Sequence, residues 1–289
     1  LAAATQANVA TLRERGVHVI DPESGALGSG DSGVGRLPAP EEIARRALDV
    51  LDRAGELEPA PVLAGRTVVV TAGGTREPID PVRFLGNKSS GRQGLAVAAA
   101  AARAGASVRV IAANIDESVM AALPSGVEVT RVGSACEMRE ATMAQVIGAD
   151  ALVMTAAVAD FRPEAAQASK MKKDPTKTDA PTLRLVRNPD ILSEVGHSDI
   201  RPALVVGFAA ETGTDEEILA NGADKAARKG ADYIALNRVG AGVGFGDVPN
   251  DIRLLDVGGQ IVGRYIGSKD EVAAGLVAQM ADFLDNLER

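Results

Sequence analysis

Short apolar runs alternate with longer alanine-rich or amphipathic stretches from Arg66 to the end of the chain. The run TVVVTA (67–72) is continuous and mostly β-branched, which is typical of a strand buried on both faces. LAVAAAAARAG (95–105) predicts a helix that ends at Gly105, and SVRVIAA (107–113) predicts the next strand.

The same alternation continues through the remaining sequence. Strands are predicted at 128–132, at the beginning of 149–160 and of 203–212, and at 231–237; helices are predicted at 135–148, 188–196, 215–230 and 269–287. The segments 252–257 and 261–267 predict an antiparallel hairpin. This order indicates right-handed βαβ units. The expected fold class is α/β, with a Rossmann-like, open, mainly parallel sheet, helices on both faces and an antiparallel C-terminal hairpin.

The first 54 residues have a different pattern. They predict a helix at 4–15, a short strand VHVI at 17–20, a Gly- and Ser-rich loop at 24–37 and a helix at 40–54. One strand and two helices cannot bury a core of their own, so we interpret 1–54 as the remnant of another domain or as an arm that needs a partner. The proline-containing stretch 55–65 is interpreted as a linker, and 66–289 as the main domain.

Composition narrows the class of protein. The chain has 289 residues, a net charge of −8 and one cysteine, Cys136. The acidic balance argues against non-specific nucleic-acid binding. The single cysteine excludes an intrachain disulfide and indicates a reducing compartment, so we expect a cytoplasmic protein. No apolar run reaches eighteen residues, so no membrane span is expected. The start LAAATQANVA is not that of a signal peptide and indicates a sequence that begins within a longer protein.

The stretch TAGGTREPIDPVRFLGNKSSGRQG (71–94) separates the first strand of the main domain from its helix by about fifteen residues. A dinucleotide fingerprint would close this turn far more tightly. The helix is expected to begin near Ser90. Ser89 or Ser90 is then either a plain helix cap or part of an anion site at free N–H groups, and both can hold together.

Three more junctions follow predicted strands. MTAAVADFRP (154–163) places small residues and then Asp160 at a strand end, where a flat group can approach the backbone. VRNPDIL (186–192) and VGFAAET (205–212) end two further strands. Phe208 is either a core aromatic or a platform for a base.

Lysines recur near these junctions. SKMKKDPTKTDAP (169–181) is either a solvated loop or a mobile segment that brings Lys170 to a polyphosphate. Lys225 and Lys229 are one helical turn apart and share a face, which is either solvated or directed at phosphates. His18 and His197 lie far apart with no ligand spacing, so no metal site is assigned to protein side chains. No nucleophile elbow or P-loop occurs, so any chemistry must rest on electrostatic positioning.

Together these stretches resemble one family, the CTP-dependent phosphopantothenoylcysteine synthetases of bacteria. The resemblance covers about 66–289 and rests on segments in the family's order: TAGGTREPIDPVRFLGNKSSGRQG, TAAVADFRP, KMKK, RNPDI, VGFAAET and ADYIALN. GSGDSGVGRLPAPEEI (28–43) resembles the substrate flap of the decarboxylase that precedes the synthetase in fused proteins. Ser29 stands where that flap has a catalytic cysteine, so no decarboxylase activity is assigned. FMN is expected only in the decarboxylase part that lies outside this sequence.

The resemblance implies a phosphopantothenate–cysteine ligase of coenzyme A biosynthesis. CTP would activate 4′-phosphopantothenate as an acyl-cytidylate, which cysteine's amine attacks, with Mg²⁺ accompanying CTP. Asn87 and Lys170 are the implied catalytic residues, and phosphopantothenate would be bound by Arg83, Asn87, Ala156 and Ala157. The implied CTP contacts are Ser89, Ala156, Asp160, Lys170, Pro189, Asp190, Ile191, Leu192, Phe208, Lys225 and Lys229. A homodimer, with higher assembly through an intact decarboxylase part, is also implied.

Two other classes remain open at this point. An NAD(P)-binding reductase on a similar sheet predicts an acidic residue at about 112–116, where Asp116 lies, but its glycine spacing does not match. A non-catalytic module would use the N-terminal region for assembly. Binding of CTP with Mg²⁺, but not of NADPH, separates the ligase from both.

Overall fold

The computed structural model describes residues 3–15, 17–26, 32–55, 61–172, 180–211, 214–238 and 250–287. The chain divides into two compact units, Leu1–Pro59 and Ala60–Arg289. Leu63 is fully buried in the second unit, and its N–H donates to the carbonyl of Ala104, so the end of the predicted linker belongs to that unit. Each unit is described by itself.

The first unit contains two helices and a two-stranded antiparallel ribbon. Its elements are α1 (Ala3–Glu14), β1 (Glu23–Ala26), β2 (Ser32–Arg36) and α2 (Pro40–Gly55). Both predicted helices are confirmed, but the predicted strand at 17–20 is wrong. The pairing lies in the stretch predicted as a loop, because β1 and β2 supply each other with an antiparallel partner and no described strand pairs with 17–20. Ser29 lies outside the described residues.

The second unit is built on one eight-stranded sheet. Its strands in chain order are β3 (Thr67–Gly73), β6 (Ser107–Ala113), β7 (Glu128–Val132), β8 (Ala151–Met154), β11 (Leu204–Glu211), β12 (Tyr233–Arg238), β13 (Asn250–Asp256) and β14 (Ile261–Gly267). The spatial order is β14-β13-β12-β11-β8-β3-β6-β7. The six strands from β12 to β7 run parallel, and β13 and β14 add an antiparallel edge.

Helices cover both faces of this sheet. They are α3 (Arg92–Arg103), α4 (Glu117–Met120), α5 (Ala135–Gln145), α6 (Ile191–Gly196), α7 (Asp215–Lys229) and α8 (Lys269–Leu287). Val68 and Val70 pack in the core layer of α3 and α8, whereas Val69 packs in the layer of α5, α6 and α7. This alternation follows from the two-residue period of a strand. The predicted α/β fold class is confirmed. No helix in the described parts of the chain is both long and apolar enough to cross a membrane.

Two short antiparallel ribbons project beyond the sheet, and the sequence did not predict them. They pair β4 (Arg76–Pro78) with β5 (Phe84–Gly86) and β9 (Phe161–Pro163) with β10 (Leu185–Arg187). The first ribbon occupies the long stretch between β3 and α3. Large apolar side chains on the two ribbons are exposed, including Phe84 at 52%, Phe161 at 46% and Leu185 at 44%.

Candidate active site

The predicted site residues gather where the parallel strands end. From β3 the chain builds the sheet outward through β6 and β7, and then returns to β8 on the other side of β3. Such a reversal opens a crevice at the carboxyl ends of the strands, where α/β proteins bind ligands. Two cavities lie there and share Ala156 and Phe208 as wall residues. We call them the α7 cavity and the α3 cavity after the helices that line them.

The α7 cavity has a volume of about 520 Å³ and collects most of the predicted nucleotide contacts. Nine of the eleven line it, from four separate segments of the chain: Ala156, Asp160, Pro189, Asp190, Ile191, Leu192, Phe208, Lys225 and Lys229. Phe208 is half-buried, so its ring is available at the wall and is not a closed core residue.

The two lysines of the α7 cavity are already paired with carboxylates. Lys225 Nζ donates to Glu211 Oε1 at 2.9 Å, and Lys229 pairs with Asp190. Asp190 also caps α6, because its Oδ1 accepts from the N–H of Ser193 at 3.2 Å. The lysines are largely buried and held in place, so the simple reading of them as solvated side chains is wrong.

Asn188 is a wall residue of the α7 cavity that the sequence analysis did not select. Its Nδ2 donates to the carbonyl of Ala159 at 2.7 Å, and its Oδ1 accepts from Arg162 Nη1 at 3.0 Å. It therefore ties the β10–α6 junction to the segment that joins β8 to β9. The sequence signal for this contact is the RNPDI segment, in which Asn188 directly precedes the start of α6.

The Ala156–Ala157 pair gives a ligand room to approach, but it does not offer free backbone N–H donors. The N–H of Ala156 donates to Thr71 Oγ1 at 3.3 Å, and the N–H of Ala157 donates to the carbonyl of Gly73 at 2.8 Å. Both backbone N–H groups are thus used within the protein. What remains is a small, flat wall that a ligand can approach closely.

Asn87 and Arg83 lie on the long connection between β3 and α3. Asn87 is exposed, and its Nδ2 donates to the carbonyl of Val158 at 3.1 Å, which holds it against the loop that follows β8. Gly74 permits this approach, since a Cβ there would lie 3.1 Å from the carbonyl oxygen of Asn87. The Arg83 guanidinium pairs with the buried carboxylate of Asp80.

The α3 cavity has a volume of about 610 Å³ and contains Ser89 together with the start of α3. The helix begins at Arg92, and its N-cap is Gly91 in the left-handed conformation (φ 77°) with no side-chain cap. The expectation of a serine cap is therefore wrong: Ser89 Oγ accepts instead from the N–H of Gly91 at 3.3 Å. The first-turn residues Arg92, Gln93 and Gly94 line the cavity, and the start of a helix is where an anion site is expected.

Two asparagines from β12 and β13, Asn237 and Asn250, complete the wall of the α3 cavity. Neither was predicted as a site residue from the sequence. Asn250 is 3% exposed, and its Nδ2 donates to Gln93 Oε1 at 2.7 Å. The side-chain oxygens of Asn237 and Asn250 are buried without a hydrogen-bond partner. Asn237 is the last residue of the segment ADYIALN, and this segment is the sequence signal that could have identified it. Asn250 follows a stretch outside the described residues.

Lys170 is exposed and lines neither cavity. The lysine-rich segment is described only up to Lys172 and from Ala180 onward. Asp116, the acidic residue that the reductase alternative requires, is used locally: its Oδ1 accepts from the N–H of Ser118 at 2.9 Å and caps α4. The hydrogen bond from the Ser118 hydroxyl, with that from its N–H, lowers the pKa of Asp116. A further cavity of about 770 Å³, between α3 and the start of α8, contains none of the predicted residues.

Comparison with known proteins assigns the family. The profile described as the DNA/pantothenate metabolism flavoprotein C-terminal domain matches residues 63–284. The coenzyme A biosynthesis bifunctional protein CoaBC of Mycobacterium tuberculosis is 45% identical over 287 residues, which cover 97% of this chain and 67% of that protein.

Solved structures agree with this assignment. The crystal structure of the C-terminal domain of a CoaBC protein is 29% identical, with a TM-score of 0.63, and the match covers 78% of this chain and all of that domain. A Cab2 mutant in complex with phosphopantothenate-cysteine has the same fold, with a TM-score of 0.59 at 16% identity, over 87% of this chain and 97% of that one. The chain therefore belongs to the family of DNA/pantothenate metabolism flavoprotein C-terminal domains.

Proposed function

We propose that this chain is a phosphopantothenate–cysteine ligase of coenzyme A biosynthesis that uses CTP. In the first step the carboxylate oxygen of 4′-phosphopantothenate bonds to the α-phosphorus of CTP, the bond to the bridging oxygen breaks, and pyrophosphate leaves. In the second step the cysteine amine bonds to the acyl carbon and loses a proton, while the acyl–phosphate C–O bond breaks and CMP leaves. The relatedness to CoaBC proteins supports this reaction class.

The observation that carries the proposal is the composition of the α7 cavity. Residues far apart in sequence, which the resemblance implies as CTP contacts, converge on one wall that contains an aromatic ring, two lysines and a helix start. An aromatic face suits a base, and lysines suit the phosphate or ribose oxygens of a nucleotide. We therefore assign the nucleotide to this cavity, with Ser89 and the start of α3 facing its phosphates.

We assign phosphopantothenate to the side of Arg83 and Asn87. Ala156 lines both cavities, Ala157 lines the α3 cavity, and Asn87 donates to the carbonyl of the next residue, Val158. We therefore assign the meeting point of the two reacting groups to this flat wall. On the β3–α3 connection, we assign the Asn87 amide to contact with the acyl-cytidylate. Holding two reactants together is itself a large part of such catalysis.

Mg²⁺ is proposed to arrive with the triphosphate. Within the described ranges, no group of three or more His, Cys, Asp or Glu side chains is placed to hold a metal ion. A cation bound mainly by phosphate oxygens and water needs no such group. Asp160, an exposed carboxylate on the cavity wall, is the residue we assign to its surroundings. When bound, the cation neutralises charge on the phosphates. No FMN site is proposed for this chain.

Wild-type protein supplied with phosphopantothenate, cysteine, CTP and Mg²⁺ is expected to release pyrophosphate and form phosphopantothenoylcysteine. Thermal unfolding should shift upward with CTP and Mg²⁺ but not with NADPH, because ligand binding to the folded state stabilises it. Pyrophosphate release no greater than in a protein-free control contradicts the ligase. Stabilisation by NADPH alone favours the reductase, and stabilisation by neither ligand favours a non-catalytic module.

We further propose that the exposed ribbons are the contact between two copies of the chain. Phe84 lies on the first ribbon, and Phe161 and Leu185 lie on the second. A two-fold axis would bring each apolar patch against its equivalent. This chain is expected to have twice the mass of one copy in light scattering. Phe161→Asp should yield monomer, because it places a charge in that contact, and an unchanged dimer would contradict this surface.

A further inference from the structure

Asp80 is the most completely bonded carboxylate near the site, and no step assigned above uses it. Its side chain is fully buried although it lies in the exposed turn between β4 and β5. Its Oδ1 accepts from the N–H groups of Val82 and Arg83, both at 2.8 Å. Its Oδ2 accepts from two N–H groups of the Arg83 guanidinium, with the Nε contact at 2.9 Å.

The same carboxylate also contacts the segment that leads to Lys170. Oδ2 accepts from the N–H of Met171 at 3.2 Å, and the Arg83 guanidinium donates to the carbonyl of Met171 at 2.9 Å. Four residues earlier, the N–H of Gln167 donates to the carbonyl of Ile79 at 2.9 Å. Residues 167–172, which we call the Lys170 segment, are thus joined to the turn at two points.

The two oxygens of Asp80 therefore have separate tasks. Oδ1 shapes the turn, whereas Oδ2 joins Arg83 to the backbone on the C-terminal side of Lys170. The Arg83 contacts, followed by the backbone N–H donors, hold the pKa of Asp80 far below its usual range, so the carboxylate stays charged. A buried charge of this kind is retained where its partners are fixed.

We propose that Asp80 is a positioning residue that holds Arg83 and the Lys170 segment as one unit, so that the phosphopantothenate side and the lysine directed at the triphosphate are set together. The effect of this junction on catalysis rests on the proposed ligase function, whereas the existence of the junction does not. Asp80 touches no reacting atom in this assignment. It acts through Arg83 and Lys170.

Asp80→Asn tests the junction cleanly. The amide oxygen can still accept from Val82 and Arg83, so the turn should fold, but its NH₂ group cannot accept from the Arg83 guanidinium or from the N–H of Met171. Asp251→Asn is the matched control, because Asp251 also receives two N–H groups of one arginine, Arg264, and lines neither site cavity.

The first measurement is hydrogen exchange of peptides that cover the Lys170 segment, without substrates. Exchange at Met171 is expected to rise at least about tenfold in Asp80→Asn and to stay at the wild-type rate in Asp251→Asn. An unchanged rate in Asp80→Asn overturns the proposal. This readout does not depend on any activity, so it separates failure of the junction from failure of the ligase assignment.

The second measurement is kinetic. Asp80→Asn is expected to raise the KM for phosphopantothenate and lower kcat by at least about tenfold each, and to change kcat little when Lys170→Ala is already present. Equal effects in both backgrounds would mean that Asp80 only stabilises the turn, and would overturn the coupling. If the wild type releases no pyrophosphate, the ligase and the coupling both fall, while the exchange result still decides whether the junction exists.

Discussion

Asn87→Asp is expected to lower formation of phosphopantothenoylcysteine by about 10²- to 10³-fold while acyl-cytidylate still forms. In the wild type, the Nδ2 donor of Asn87 bonds to the carbonyl of Val158, and the substituted carboxylate has no such donor. The carboxylate also places a negative charge beside a phosphate ester. In the proposed reaction the first step depends mainly on the α7 cavity, so the acyl-cytidylate should accumulate. Quenched reactions that separate acyl-cytidylate from product measure both steps.

Asn221→Asp is the appropriate comparison for this variant. Asn221 is an exposed amide on α7 that lines neither cavity, so the same chemical change there should leave both steps at wild-type rates. If Asn87→Asp formed product as fast as Asn221→Asp does, Asn87 would have no role in the second step. Loss of both acyl-cytidylate and product would instead move its role to substrate binding.

Lys170→Ala is expected to lower turnover by about 10²-fold, because a charge-assisted contact to the triphosphate is lost. Lys170 lies outside both cavity walls, so it must reach the phosphates from the segment that Asp80 holds. The loss should appear mainly in kcat and in pyrophosphate release. Lys170→Arg keeps the charge and is expected to retain a large part of the activity.

The neighbouring lysine provides the control. Lys172→Ala removes the same charge two residues further along, and Lys172 is likewise exposed. A loss confined to Lys170→Ala supports a specific contact. Equal losses in the two variants would point to the net charge of the segment, and wild-type kinetics in Lys170→Ala would return this lysine to the solvated-loop interpretation.

Most of the main sheet was predictable, because burial on two faces leaves a strong pattern. Val68, Val69 and Val70 form a continuous apolar run since alternate residues enter different core layers, and this is the signal that predicted β3. The alanine-rich α3 and the apolar helix α8 were predicted for the same reason. Periodicity reports burial: most of α3 is buried, and α8 buries one face between Val272 and Leu284.

The short ribbons and the exact site contacts were not predictable in this way. The β4–β5 and β9–β10 ribbons are three residues per strand and have exposed side chains, so they carry no period. VHVI has the composition of a strand but no described partner, and the Gly- and Ser-rich hairpin forms because its two strands are neighbours in the chain. Pairs such as Lys225–Glu211 and Asp80–Met171 join distant segments, so only the fold reveals them.

The ion pairs in the α7 cavity also bear on which anions the cavity admits. Glu211 and Asp190 already occupy Lys225 and Lys229, so an incoming anion has to compete with carboxylates that are tethered at high effective concentration. A lone inorganic phosphate brings nothing else to that competition. A nucleotide also brings a ring to Phe208 and a ribose to the α6 junction. If the proposed function holds, these carboxylates compete with the ligand, and we expect the lysines to respond to a whole nucleotide rather than to negative charge alone.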